Sequence, residues 1–324
     1  MKTFVSRRLK LKFELAQGSF TGRMQDNAVE FSGLRVHADI EVWPNMTSQA
    51  HIVVFGLKQE TMNTLTLVQA WTAPNSFKKN YMALYSTDEN GVDTLVFDGE
   101  IFQAIADYNG APQVPFHIFA KKMYPLQLIV PPPLSFPGTN KAADIIQTVL
   151  NRANTYIDDS SRHYRLENNG VDASLTDVSL SGPLFGMLIK VTNQANAMAY
   201  ADGNIVSICP RDKARGTKNA ERLELSTATG MIGYPITTPI GAVAKALFNP
   251  YYRPLGKILL KSTDVTFRRN HPEENPPSKA GSAYYLSESE FFIASLKHRL
   301  QSETPGGAWE TEMVLYYLPF QKES

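Results

Sequence analysis

Three stretches group residue types that could do chemistry. Residues 158–165, DDSSRHYR, set Asp, Ser and His side by side. Asp98 and Glu100 stand two positions apart. Residues 226–250, STATGMIGYPITTPIGAVAKALFNP, place Gly230 and Gly233 among small and hydroxyl side chains. Each would imply a different reaction. A Ser-His-Asp triad is assembled in space from distant segments, and 158–165 lacks the GxSxG turn that projects a nucleophile, so it reads as a solvated loop after a helix. Paired carboxylates for glycoside cleavage need a cleft and a separation of about 5–10 Å, and any of 31 acidic residues could be picked. A phosphate cradle needs GxxxxGK[ST] or GxGxxG, and neither glycine of 226–250 is followed by a lysine.

No metal, cofactor or catalytic residue is expected. The histidines at 37, 51, 117, 163, 271 and 298 show no HExxH or His/Cys ligand spacing. The single cysteine, Cys209, lies in the apolar run IVSIC and reads as an inert core thiol. What Gly230 and Gly233 offer is positive φ or close approach, and Pro235, Pro239 and Pro250 pin the backbone. Gly230, Met231, Ile232, Gly233, Tyr234 and Pro235, with Asn249 and Pro250, are therefore expected to form a shaped structural loop near a subunit contact.

The elements that must position these residues are mostly strands. The length of 324 residues predicts two or three domains. The net charge of +1 excludes the basic field of a bulk nucleic-acid binder. No window approaches a membrane span, and the first residues carry charge where a signal peptide needs apolar side chains. Leu9, Leu11, Phe13 and Leu15 alternate with charged residues, as do Val36, Ala38, Ile40 and Val42; period two predicts half-buried antiparallel strands. More strands are expected near 51–55, 80–85, 94–97, 101–107 and 114–120, with a helical turn in 56–67. PPPLSFPG (131–138) reads as an extended connector. Helices are expected at 140–155, capped by Asn140, and at 181–196, followed by a hairpin turning on 201–204. Strands return near 222–225, 241–248, 256–262, 290–302 and 309–318, while 268–282 reads as an exposed loop. The expected class is mainly β with an α+β insert: a β-barrel domain over 1–125, an α+β domain over 126–215 and a second β-barrel domain over 216–324.

The order of these motifs resembles the central baseplate hub proteins of contractile-tailed bacteriophages, the family of the Mu-like and T4-like tail hubs. The passages that carry it are LRVHADIEVWPNMTSQAHIVVFGLKQETMNTL, VFDGEIFQAIADYNGAP, SLSGPLFGMLIKVTNQANAMAYADGNIVSICP, TGMIGYPITTPIGAVAKALFNPYYRPLGKILLKS and ASLKHRLQSETPGGAWETEMVLYYL. The resemblance implies a non-enzymatic homotrimer. Three copies of two similar barrels would make a pseudo-sixfold ring, located in the virion baseplate and assembled in the host cytoplasm. That ring would join a sixfold tail tube, or its initiator proteins, to a threefold central spike, with wedge and tape-measure proteins as further partners. Neither membrane anchoring nor sequence-specific nucleic-acid binding is implied. Subunit contacts are expected along 34–42, 309–318 and 230–250. Two alternatives remain at this point: a peptidoglycan-degrading tail-tip hydrolase, and a ligand-binding β-barrel module for which Tyr251, Tyr252 and Arg253 would be the nearest cluster.

Overall fold

The structure is a computed structural model that describes residues 7–23, 26–43, 46, 48–66, 79–211, 223–261 and 288–317. The loop expected at 268–282 lies outside the described residues.

The first part of the chain runs β1 (Arg8–Glu14), β2 (Ala28–Ser32), β3 (Arg35–Val42), β4 (Ser48–Phe55), α1 (Gln59–Leu65), β5 (Tyr81–Thr87), β6 (Asp93–Ala106) and β7 (Pro115–Lys121). Next come α2 (Tyr124–Leu128), β8 (Leu134–Lys141), α3 (Ala142–Asn154), β9 (Arg165–Asn168), β10 (Ser174–Leu180), α4 (Leu184–Gln194), β11 (Ala197–Asp202) and β12 (Ile205–Pro210). The last part holds β13 (Leu223–Leu225), β14 (Met231–Thr238), β15 (Gly241–Leu247), β16 (Lys257–Lys261), β17 (Glu288–Ser302) and β18 (Trp309–Tyr317). The fold is mainly β with a small helical insert, as the alternation predicts.

Both ends of the chain contribute to one sheet of 13 strands, whose main path runs β14-β15-β18-β17-β3-β4-β7-β6-β5-β1-β2. The sheet cannot be flat. Between β3 and β1 lie five steps of about 4.8 Å, roughly 24 Å in all if uncurled, yet Ile40 of β3 and Phe13 of β1 share a core with Ile52, Ile101 and Ile118. The strands curl around that interior, and Met62 and Leu65 of α1 pack into it. A second core gathers Ala244 of β15, Ile258 of β16, Phe291 and Ile293 of β17, and Met313 of β18. Each fully buried Phe, Leu or Ile contributes about 1.5–3 kcal/mol relative to exposure.

A third core belongs to the middle segment. The apolar face of α3 (Ile145, Ile146, Val149, Leu150) meets that of α4 (Leu184, Leu188, Val191), in a core that also takes in Ala197, Ala199 and Ala201 of β11 and Val206 and Ile208 of β12. Met46, from the β3–β4 connection, is fully buried in this core, and its N–H donates to Ala199 O at 3.2 Å. Outward-facing Met198, Tyr200 and Cys209 of the hairpin cover Phe292 and Ala294 on the outer side of β17. Cys209 is thus a buried thiol, as its apolar run predicts.

Two local expectations need correction. Pro131–Pro133 precede the strand, but Leu134–Lys141 form β8, paired with β10. Pro137 is tolerated because the register shifts between Thr176 and Val178, where Asp177 adopts φ 52° and its carboxylate accepts from Gly138 N–H at 2.7 Å. Asn140 lies in β8 and does not cap α3; its side chain donates to Pro137 O at 3.1 Å.

Gly241 marks the tightest approach in the sheet, since a Cβ there would lie 1.8 Å from Leu315 O. Gly241→Ala should therefore lower stability by more than about 2 kcal/mol. Exposed Gly186 in α4 has nothing within 4 Å of such a Cβ, and Gly186→Ala should gain about 0.5–1 kcal/mol. Thermal unfolding of the two variants measures both; equal effects would contradict the packing.

Candidate functional site

The 226–250 stretch forms capped turns and strands. Residues 227–229 make one 3₁₀ turn, capped by Ser226, whose side chain and that of Thr229 bond each other's backbone N–H. Gly230 ends it at φ 104°, and Ser226 O accepts from Met231 N–H at 2.8 Å. The N–H groups of Ser226, Thr229 and Met231 are thus bonded within the turn and do not converge on an anion.

Met231 to Thr238 then form strand β14, where a connecting loop is expected from sequence; the paired run with β15 accounts for the difference. The register shifts between Ile232 and Ile236, so Gly233 (φ 69°), Tyr234 and Pro235 form the irregular stretch. Met231 and Pro235 are buried and Ile232 half-buried, while Gly233 faces solvent. Among the described residues β14 pairs only with β15 and is an edge of the sheet. Tyr234, Ile236 and Ile240 are 67%, 68% and 59% exposed, an apolar group on an edge. By contrast, β3 and β18, also expected to present edges, are paired on both sides. Their backbone donors and acceptors are satisfied, so neither offers a free edge.

Asn249 and Pro250 open a strap across the junction of the cores. Asn249 Oδ1 accepts from Tyr251 N–H at 2.9 Å, Tyr252 is buried, and Tyr251 is exposed. Arg253 pairs with Asp202 of the hairpin, and Leu255 N–H donates to Ile293 O at 2.8 Å. His298 is buried here, its Nδ1 2.8 Å from Thr311 Oγ1 and its ring edge-on to Phe248. Burial pushes the imidazole down to about 4.

In 158–165 the residues meet without forming a triad. Asp159 accepts from both the N–H and the hydroxyl of Ser161, at 2.9 and 2.7 Å, which lowers its carboxyl's pKa. His163 Nε2 lies 3.0 Å from Ile157 O and so must donate there, leaving that nitrogen unable to act as a base.

Asp98 and Glu100, two apart on β6, do fall on one cleft of about 240 Å³, shared with Tyr81, Lys122, Arg162 and Tyr164. Lys122 Nζ sits 2.8 Å from Asp98 Oδ1, and Tyr81 Oη donates to Asp98 Oδ2 at 2.8 Å. With both oxygens engaged, Asp98 is tied into the structure. Arg162 reaches from the middle segment to Glu14 of β1 at 2.7 Å, its guanidinium 4.3 Å above the Tyr81 ring. Sequence reading missed Arg162, Tyr81 and Lys122; the period-two spacing of Asp98 and Glu100 was the one signal that they share a face. Among the described residues no group of three or more His, Cys, Asp or Glu could hold a metal ion, and no helix is long and apolar enough to cross a membrane.

This fold is shared with solved tail proteins. The tail protein from Neisseria meningitidis MC58 superposes with a TM-score of 0.59 at 8% identity, covering 95% of this chain and 96% of that one. The 43 kDa tail protein of prophage MuSo2 from Shewanella oneidensis gives 0.58 at 9% identity, covering 97% of each. The E. coli c3393 protein, described as a type VI secretion component similar to the T4 tail proteins gp27 and gp5, gives 0.53 at 9% identity over 89% of this chain and 74% of that one. No curated protein matches the sequence. The baseplate hub gp41 family matches residues 13–263, most of the chain. The chain belongs to this family and is a structural protein of a bacteriophage tail baseplate, as the ordered motifs imply.

Two outcomes test this geometry. Gly230→Val forces a branched side chain to φ 104° with its Cβ 3.3 Å from Leu247, and should lower stability by about 1–3 kcal/mol in thermal unfolding. For His298 the folded imidazole binds its proton less readily than the unfolded one. Its stabilising contribution is complete above pH 6.5 and is lost as pH falls toward 4, up to about 3 kcal/mol. His298→Gln should flatten that limb of the stability–pH curve measured by denaturant unfolding.

Proposed function

We propose that this chain is the central hub of a contractile tail, assembling as a homotrimer whose two β units per subunit form a pseudo-sixfold ring between a sixfold tail tube and a threefold spike. The observation that supports this reading is the single sheet that serves two β cores, which joins two β bodies by a backbone ladder in each subunit. Three such pairs give six near-equivalent positions on one face while keeping threefold symmetry on the other. The family membership supports the same role.

In this reading 1–125 and 216–324 are the two barrel domains and 126–215 is the peripheral α+β domain. The chain acts without cofactor or catalysis, sits in the virion baseplate after assembly in the host cytoplasm, and meets the spike, the tube or its initiator, and wedge and tape-measure proteins. Similarity to the VgrG-containing complex of Francisella (TM-score 0.52, 11% identity, 98% of this chain and 54% of that chain) supports a spike partner.

The subunit contact is assigned to the β14 edge. Pro235 lacks a backbone donor and the ladder is irregular around it, so the contact is made by Tyr234, Ile236 and Ile240 side chains rather than by extended strand addition. Tyr234→Asp with Ile236→Asp should convert trimer to monomer in native mass measurement, with the melting temperature of the subunit unchanged within a few degrees. Trimers that survive the double change would refute the contact, and a stable monomer of the unaltered protein at high concentration with its spike present would refute the ring.

A further inference from the structure

His51 of β4 and His117 of β7 meet on the outer face of the sheet, away from the core that Ile52 and Ile118 fill. The two strands are antiparallel, with His51 opposite Phe119 and His117 opposite Val53, so the imidazoles are diagonal neighbours. His51 Nε2 lies 3.1 Å from His117 Nδ1, and the ring planes are 18° apart. When both rings are neutral, one donates its N–H to the bare nitrogen of the other. His51 is also stacked on Phe119, with centroids 4.3 Å apart and planes 4° apart. The two histidines stand 66 positions apart in the chain, which is why no local spacing announces them.

The surroundings tolerate a cation. A groove of about 360 Å³ opens beside the pair, with Asp39, Gln49, His51, Phe102 and Phe119 in its walls. Asp39 is the register partner of His51 on β3, and its exposed carboxylate lies 4.0 Å from Arg299. The other base in the groove wall, Lys297, is held by Glu41 at 2.7 Å. Each base is matched by a carboxylate, so the groove presents no net positive barrier.

We propose that His51 and His117 form a two-histidine site for a late divalent transition ion such as Zn²⁺, Ni²⁺ or Cu²⁺, with water in the groove filling the remaining positions. Zn–N bonds of about 2.0–2.1 Å at a tetrahedral angle place two nitrogens about 3.3 Å apart, against 3.1 Å here. The rings turn within their own planes to bring both lone pairs onto the ion, and His51 does so while staying stacked on Phe119. The proton of the hydrogen bond passes through water to the other nitrogen of its ring, so both imidazoles stay neutral and no proton is released. Among the described residues no third His, Cys, Asp or Glu completes a ligand set, so the site is open, unlike a closed structural zinc centre. Asp39 adds negative charge from outside the ligand shell. The ion clamps β4 to β7 on the outer face and takes part in no reaction.

Isothermal titration calorimetry of the untagged protein with Zn²⁺ tests this. His51→Gln and His117→Gln should each weaken binding by about tenfold or more, at least as much as losing a supporting contact does at metal sites. His37→Gln, which alters another histidine of β3 on the same face as Asp39, should leave the affinity unchanged. Cu²⁺ should bind the unaltered chain more tightly than Ni²⁺ or Zn²⁺ does. Thermal unfolding without metal reports that the variants are folded, and saturating Zn²⁺ should raise the melting temperature of the unaltered chain and of His37→Gln but not of the other two. Equal Zn²⁺ affinity in the unaltered chain and in either His51→Gln or His117→Gln, absence of binding included, would overturn the proposal.

Discussion

The structure depends on β17 being paired along its whole length by strands that serve different cores. Its first part hydrogen-bonds to β16 and β18, and from Leu296 onward it pairs with β3 and β18. At 15 residues it spans about 50 Å, long enough to underlie both cores. A register irregularity between Ile293 and Ser295 switches which side chains face inward: Phe291 and Ile293 enter one core, and Leu296, His298 and Leu300 follow at even positions. Without that shift, the strand would turn its polar face into one of the two interiors.

Because a backbone ladder joins the β units, they cannot slide past one another without breaking hydrogen bonds. The C-terminal part of the chain completes the first core: Leu300 lies inside it, and Phe248 and Trp309 pack against it. A rigid two-body subunit is what the proposed ring would require. The middle segment is attached differently, by one backbone bond from Met46 N–H to Ala199 O and otherwise through side chains: Tyr200 Oη donating to Ala294 O at 2.5 Å, Arg253 with Asp202, and Arg162 with Glu14. Attachments of that kind can be altered one at a time, which is where adjustable behaviour can reside.

Strands with a buried and a wet face were legible because burial imposes period two: β1, β3, β4, β7 and β18 all follow their apolar alternation. The helices α3 and α4 were legible for the same reason at their own period. The strands left unread were short or polar, such as β2, β9 and β10, or broken by proline, such as β8 and β14. Their pairing is decided by the partner strand, which leaves little trace in local sequence. The glycines of 226–250 were legible as special backbone positions, and Gly230 and Gly233 do adopt positive φ. That the stretch between them and Thr238 is an exposed sheet edge was not.

What the sequence determined by itself was local and periodic: which residues face a core, where helices replace strands, and the lack of any spacing suited to a phosphate or a metal. The order of those elements was enough to reach the baseplate hub family. Only the tertiary structure decided that the two ends of the chain share one sheet, that β3 and β18 are interior while β14 is an edge, and that Arg162 closes on Glu14 beside Asp98 and Glu100. The reason is physical. Periodicity records whether a side chain is buried, whereas strand adjacency and the meeting of charges depend on where distant segments come to rest.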